Sequence, residues 1–187
     1  LETDGKLVSI PNTETREIPY IAGPSGSGKS TYGSKYVEVF KKLFPSKNFI
    51  LFSRKDSDPV LDKLNPIRVK IDESLVEEPI DITQELSGGA IVMFDDVATI
   101  HNDKVRKAVE KLMSDIMEVG RAYNVYIVIT NHLIIPNEKK FARTLLNEMQ
   151  SITFFPKSGS AQQITYALKT YFGFNKKQIE KILSLPS

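Results

Sequence analysis

Gly23-Pro24-Ser25-Gly26-Ser27-Gly28-Lys29-Ser30 is the stretch on which the fold turns, and it fits G-x-x-x-x-G-K-[ST] in full. Each residue type has a physical reason. The glycines let the backbone curl so that successive N–H groups point at one anion. A helix opening at the end of the loop adds partial positive charge. Lys29 can reach the β- and γ-phosphates of a nucleotide, and the Ser30 hydroxyl can take one position on magnesium. Thr31 follows in the same turn. The context agrees: residues 17–22 read as a buried strand, and 30–43 have helical spacing, with Tyr32, Tyr36, Val39, Phe40 and Leu43 as the apolar members.

A phosphate loop of this kind works with a carboxylate at the end of a neighbouring strand. Ile91-Val92-Met93-Phe94-Asp95-Asp96 offers two. The apolar residues bury a strand, and the acids emerge at its C-terminal edge, where open parallel sheets bind ligands. Asp95 is expected to hold magnesium, directly or through water. Asp96 is expected to polarise the attacking water, with a capping role for the next segment as the plainer alternative. Residues 125–130 read as the next strand, ending in Thr130-Asn131-His132. Asn131 is the preferred γ-phosphate sensor, because an amide both donates to phosphate and accepts from water. Thr130 and His132 are the close alternatives. Arg121 is the best candidate for an arginine given to a neighbour's γ-phosphate, ahead of Arg106 and Arg143, and it also suits a helix C-terminus. Arg54, after the strand at 48–52, is a further residue placed to approach nucleotide.

The remaining segments alternate apolar runs with helical patterns, the signature of an α/β layer fold. Strands are expected at 6–10, 67–71 and 151–155, and helices at 103–121, 138–148, 161–172 and 176–185. Asn102 or Asp103 would cap the first of these helices and Asn175 the last. The expected architecture is a three-layer P-loop NTPase, with a central, mainly parallel β-sheet flanked by helices. All 187 residues read as a single domain, with 1–16 an N-terminal strand or extension and 157–187 a C-terminal helical segment.

Composition narrows the chemistry. The chain has no Cys and two His, which excludes disulfides and thiolate or His-rich metal sites. No apolar run approaches the roughly 18 residues of a membrane span, so no membrane partner is expected. Net charge is +2, unevenly spread. Residues 137–187 hold eight Lys/Arg against three Asp/Glu, and the rest of the chain is slightly acidic. Such a basic third suits a polyanion, or a solvated surface.

Three stretches together resemble the packaging ATPases of large DNA viruses, within the FtsK–HerA group of ring-forming DNA pumps. They are the glycine loop, the Ile91–Asp96 strand end, and Gly120-Arg121-Ala122-Tyr123-Asn124 followed by Val125–His132. The Gly-Arg-x-x-Asn run is similar to poxvirus-type members, and Leu168-Lys169-Thr170-Tyr171-Phe172-Gly173 resembles viral ATPases of this kind. The sequence departs from the pattern where Asn131-His132 stands in place of Gln and Asp96 in place of Glu. The resemblance implies a motor that hydrolyses ATP with Mg2+ and works as a homo-oligomeric ring on double-stranded DNA. Lys139, Lys140 and Arg143 are the candidate DNA contacts. It further implies a soluble protein of the infected cell's cytoplasm or virus factory, or one associated with the virion.

Two other functions fit parts of the chain. Ala22 to Thr31 is similar to the guanylate kinase loop, but no Arg-rich nucleotide-monophosphate segment follows between 31 and 90. An ATP-switched assembly module needs only the loop. All three readings require Lys29, so Lys29→Ala is expected to abolish nucleotide binding. Titration with a fluorescent ATP analogue checks it.

Overall fold

The structure, a computed structural model, describes Pro11 and residues 15–185. The strand expected at 6–10 lies outside the described residues. Six strands form one sheet: β1 (Pro19–Ala22), β2 (Asn48–Ser53), β3 (Ile67–Lys70), β4 (Ala90–Phe94), β5 (Val125–Asn131) and β6 (Ser151–Phe154). Their order is β3-β2-β4-β5-β1-β6, and every pair is parallel. The helices are α1 (Lys29–Leu43), α2 (Ser74–Glu77), α3 (Ile82–Glu85), α4 (Asp103–Val119), α5 (Lys139–Glu148), α6 (Ala161–Thr170) and α7 (Lys176–Leu183). The expected α/β layer fold is therefore present. None of the described helices is long and apolar enough to cross a membrane.

Strand periodicity sorts the core into two layers. Ile21, Phe49, Leu51, Ile91, Met93 and Val128 face α1, where they meet Tyr36, Val37 and Phe40. Tyr20, Phe52, Val92, Phe94, Ile127 and Ile129 face the other way, onto α4 through α7. On α1 the expected apolar face is turned slightly: Val37 is fully buried and Leu43 is exposed. Gly33 of that helix packs closely on the sheet: a Cβ there would stand 2.7 Å from the Met93 methyl, which would have to move.

The helix starts follow their caps. Asn102 accepts from the Lys104 and Val105 amides, and Asn175 forms a capping box with Gln178. The long helix stops at Val119 rather than Arg121, and Gly120–Tyr123 tightens into a 3-10 turn. A half-buried arginine explains the stop. Arg16 donates to the carbonyls of Val125 (2.7 Å), Met117 (2.9 Å) and Ile116, satisfying the last turn of α4. A Cβ at Gly120 would lie 3.0 Å from that guanidinium and 3.2 Å from the Val125 carbonyl, a close approach that glycine relieves.

Replacing Arg16 by Met leaves those carbonyls short of partners. The expected loss is about 2 kcal/mol of stability, read as a lower urea midpoint with an unchanged slope.

Candidate phosphate-binding site

Because all strands run parallel, their C-terminal ends share one edge, and the loop after β1 lies there. Gly26 (φ +76°) and Gly28 (φ +100°) take the left-handed backbone that L side chains rarely adopt. Gly23 is needed for space: a Cβ would meet the Ser27 hydroxyl oxygen at 2.6 Å and the Phe155 ring at 2.8 Å. The Gly23 amide donates to the Asn131 carbonyl at 3.0 Å, which ties the loop to β5. Lys29 is buried at 5% exposure. Its ammonium donates to the Pro24 carbonyl at 3.1 Å and pairs with Asp96 Oδ1 at 3.4 Å.

The acidic strand is not adjacent to β1, as the sequence reading had placed it; β5 lies between them. Strands are spaced by about 4.8 Å, so Asp95 stands roughly two strand spacings from the loop. Asp95 and Asp96 differ sharply. Asp95 is 2% exposed and faces the α1 side. Burial and then the neighbouring Asp96 raise its pKa, outweighing Lys55 and Thr130, which lower it. Asp96 sits in the turn after β4 with φ +53°, a left-handed conformation that Asp tolerates better than most residues. Its side chain caps nothing and is turned to Lys29 and His132, whose Nε2 lies 3.4 Å from Oδ2. The capping alternative is therefore set aside.

Thr130 joins the two acids. Its hydroxyl donates to Asp95 Oδ1 (3.1 Å) and accepts from the Asp96 amide (3.0 Å). Asn131, the preferred sensor, is placed differently. Alternation turns its side chain to the α4 layer, where its Oδ1 accepts from the Leu133 amide, and only its carbonyl reaches the loop. The structure thus brings Thr130 and His132, not the Asn131 side chain, to the acids. Arg121 stands at the start of β5, on the sheet edge opposite the loop. With about 3.3 Å per strand residue, that is roughly 20 Å from the phosphate loop of its own chain. Arg106 pairs with Asp103, and Arg143 is exposed on α5. Arg54 turns to the other face and donates to the Thr99 carbonyl.

The residue the sequence reading missed is the next one. Lys55 Nζ lies 3.3 Å from Asp95 Oδ2, 3.6 Å from Asp58 and 3.9 Å from Asp96. Burial pulls its pKa down, but Asp95, Asp96 and Asp58 outweigh it, so it ends raised. The available signal was alternation: Ser53 and Lys55 share a face, and Arg54 does not. Ser53, buried beside Asp95 at 3.5 Å, belongs to the same group.

The cradle suits a phosphate chain and magnesium. Ser27 Oγ is buried without a hydrogen-bond partner, and the buried Asp96 Oδ1 has the Lys29 ammonium at 3.4 Å but no hydrogen bond, whereas buried polar atoms usually have one. Among the described residues no group of three or more His, Cys, Asp or Glu could hold a metal. Magnesium is commonly held by one or two protein oxygens plus substrate phosphates, and Ser30 and Asp95 are the residues here of that type.

No protein-family model matches the chain. It is 46% identical over 184 residues to the uncharacterized protein V3 of Sputnik virophage, across 98% of this chain and 74% of that protein. The chain belongs to the family of that virophage protein. Its fold is similar to that of the genome packaging NTPase B204 from Sulfolobus turreted icosahedral virus 2, solved with AMPPCP. That match has a TM-score of 0.58 at 13% identity and covers 92% of this chain and 88% of that one. EssC from Geobacillus thermodenitrificans, solved as its ATPases 2 and 3, gives a TM-score of 0.55 at 14% identity over 82% of this chain. The cytoplasmic domain of EssC gives 0.54 at 19% identity over 74%. This chain spans about a third of each EssC chain, 34% and 30%. This chain thus has the three-layer P-loop NTPase fold. The virophage relative and the packaging NTPase are both viral proteins, and these likenesses do not single out the poxvirus type.

The raised pKa of Asp95 has a consequence for stability. In the window from the ordinary carboxylate value up to the raised one, the folded state binds more protons than the unfolded state. Stability therefore falls as pH rises through that window, and at neutral pH the charged, buried Asp95 is a cost. Asp95→Asn is expected to melt above the wild type at pH 7. Thermal melts at stepped pH should show the gap narrowing towards pH 4.

Proposed function

We propose that the chain is a magnesium-dependent ATPase and the motor subunit of a viral DNA-packaging machine of the FtsK–HerA type. The observation that carries the first half is the meeting of the phosphate loop, its buried lysine and two carboxylates at one sheet edge. In this reading the amides of Gly23–Ser30 hold the β- and γ-phosphates. Ser30 and Asp95 would hold magnesium, which would neutralise charge on the phosphate oxygens. Asp96 accepts the proton of the attacking water. The Lys29–Asp96 ion pair opens as Lys29 turns to phosphate, which frees Asp96 for that role. Thr130 keeps both acids in register, and His132 adjoins Asp96. Asn131 then supports the loop from behind through its backbone.

The packaging half rests on the family and fold likenesses and on the basic C-terminal third. The segment after β6, with α6 and α7, acts as the helical end of the same domain. Lys139 and Arg143 line a groove of about 1210 Å³ that also holds Tyr166 and Tyr171 and has no carboxylate in its lining. Contacts of that kind bind phosphate backbones and weaken steeply with salt. Arg121 serves only a ring in this scheme, since its place at the far edge of the sheet suits a neighbouring subunit's γ-phosphate and not its own.

Asp96→Asn is expected to lower hydrolysis by at least about a hundredfold while leaving analogue affinity within a factor of two or so. Steady-state phosphate release, with and without duplex DNA, measures it alongside fluorescence titration. Full activity in the variant removes Asp96 from the mechanism. Phosphoryl transfer from wild type to a mononucleotide instead of water replaces hydrolysis with the kinase reading.

A further inference from the structure

The acid pair is bracketed by two lysines that arrive from opposite sides. Lys29 comes from the loop after β1, and Lys55 comes from the segment after β2, on the far side of β4. Nothing in the phosphate-loop pattern calls for the second lysine. Its placement is nonetheless built. The Lys55 amide donates to Ser53 Oγ at 3.2 Å, and its carbonyl accepts from Arg68 Nη1 at 2.9 Å. Ser53 in turn donates towards Asp95 Oδ2 at 3.5 Å. Arg68 is itself anchored on Asp62, whose other oxygen accepts from the Asp58 amide. The backbone at Lys55 is thus clamped on both sides, and the four-carbon stem is the part free to swing. A side chain with 48% exposure retains that freedom.

Lys55 touches the same buried carboxylate that the proposed ATPase assigns to magnesium. Lys55 Nζ is 3.3 Å from Asp95 Oδ2 and a magnesium–oxygen bond is about 2.1 Å, so an ion on that oxygen would stand within about 5.4 Å of Nζ, and two cations at that separation repel. Asp95 cannot serve both fully. Asp96 and Asp58 keep Lys55 beside the site even when Asp95 is engaged elsewhere, at 3.9 and 3.6 Å. The ammonium then remains beside Asp96, the acid that also pairs with Lys29.

We propose that Lys55 is a second catalytic lysine: it competes with magnesium for Asp95 and, once displaced, places its charge on the γ-phosphate from the side opposite Lys29. The inference rests on the ATPase reading. It assigns to this chain's own segment after β2 the transition-state cation that Arg121, about 20 Å away along β5, cannot provide in its own subunit.

Two measurements on the full chain test it. One is magnesium titration of a non-hydrolysable fluorescent ATP analogue, and the other is steady-state phosphate release at saturating magnesium. Lys55→Met should reach half-saturation at about three- to tenfold lower magnesium. It should also hydrolyse at least about tenfold more slowly. Lys55→Arg, which keeps the charge, should recover much of both. Lys70→Met, which breaks the surface pair with Asp56, should change neither. A Lys55→Met variant with wild-type magnesium dependence, or with wild-type turnover, overturns the inference and leaves the ATPase reading standing. Wild-type protein that binds no analogue at any magnesium concentration overturns both.

Discussion

A carboxylate buried at the end of β4 sets the terms for everything near it. Asp95 keeps 2% of its surface exposed, and an ionised group taken out of water is costly unless paired and hydrogen-bonded. Three elements meet that demand. The Thr130 hydroxyl arrives from β5, Ser53 from the end of β2, and Lys55 from the segment beyond it. Burial still holds the pKa of Asp95 up, so the compensation is incomplete. A residue held at a cost to the fold is characteristic of a working site. The left-handed backbone of Asp96, next in the chain, is a second such cost.

The parallel sheet makes this concentration possible. Every strand delivers its C-terminal end to one edge, and period-two alternation then decides which side chain arrives on which face. Ser53, Lys55, Asp95 and Thr130 share the α1 face with the phosphate loop. Arg54 and Asn131, one residue out of phase, fall on the α4 face. A gap of one strand between β1 and β4 sets the loop back from the acids. Lys29 crosses it, and Phe155, following β6, packs its ring on Gly23 from the other flank.

What could be read before the structure follows the same division. The glycine loop, the buried strands and the capped helices are local features, and their residues carry the signal themselves. The strand order is non-local, so the acidic strand was expected beside β1 when β5 lies there. Alternation and strand direction decide where individual site residues point. The amide chemistry of Asn131 suits a phosphate sensor, but its position in the alternation turns its side chain to the α4 face. Arg121, expected from its motif to serve a neighbour's γ-phosphate, stands at the N-terminal end of β5, away from its own loop. Lys55 carries no motif, and only the pairing of β2 with β4 brings it to Asp95. Arg16 likewise gave no sign that it would hold the end of α4, a contact more than a hundred residues away in sequence.

Membership of the virophage family and a fold shared with a viral genome packaging NTPase frame the site without specifying its chemistry. The central claim is that a nucleotide's terminal phosphate and its magnesium come between Lys29 and the Asp95–Asp96 pair. A crystal structure with magnesium and a non-hydrolysable ATP analogue tests this most directly. The account predicts β- and γ-phosphates on the amides of Gly23–Ser30, magnesium on Ser30 and Asp95, and Lys29 moved from Asp96 to phosphate. An analogue bound away from this loop, or an intact Lys29–Asp96 pair with the phosphates in place, would contradict it.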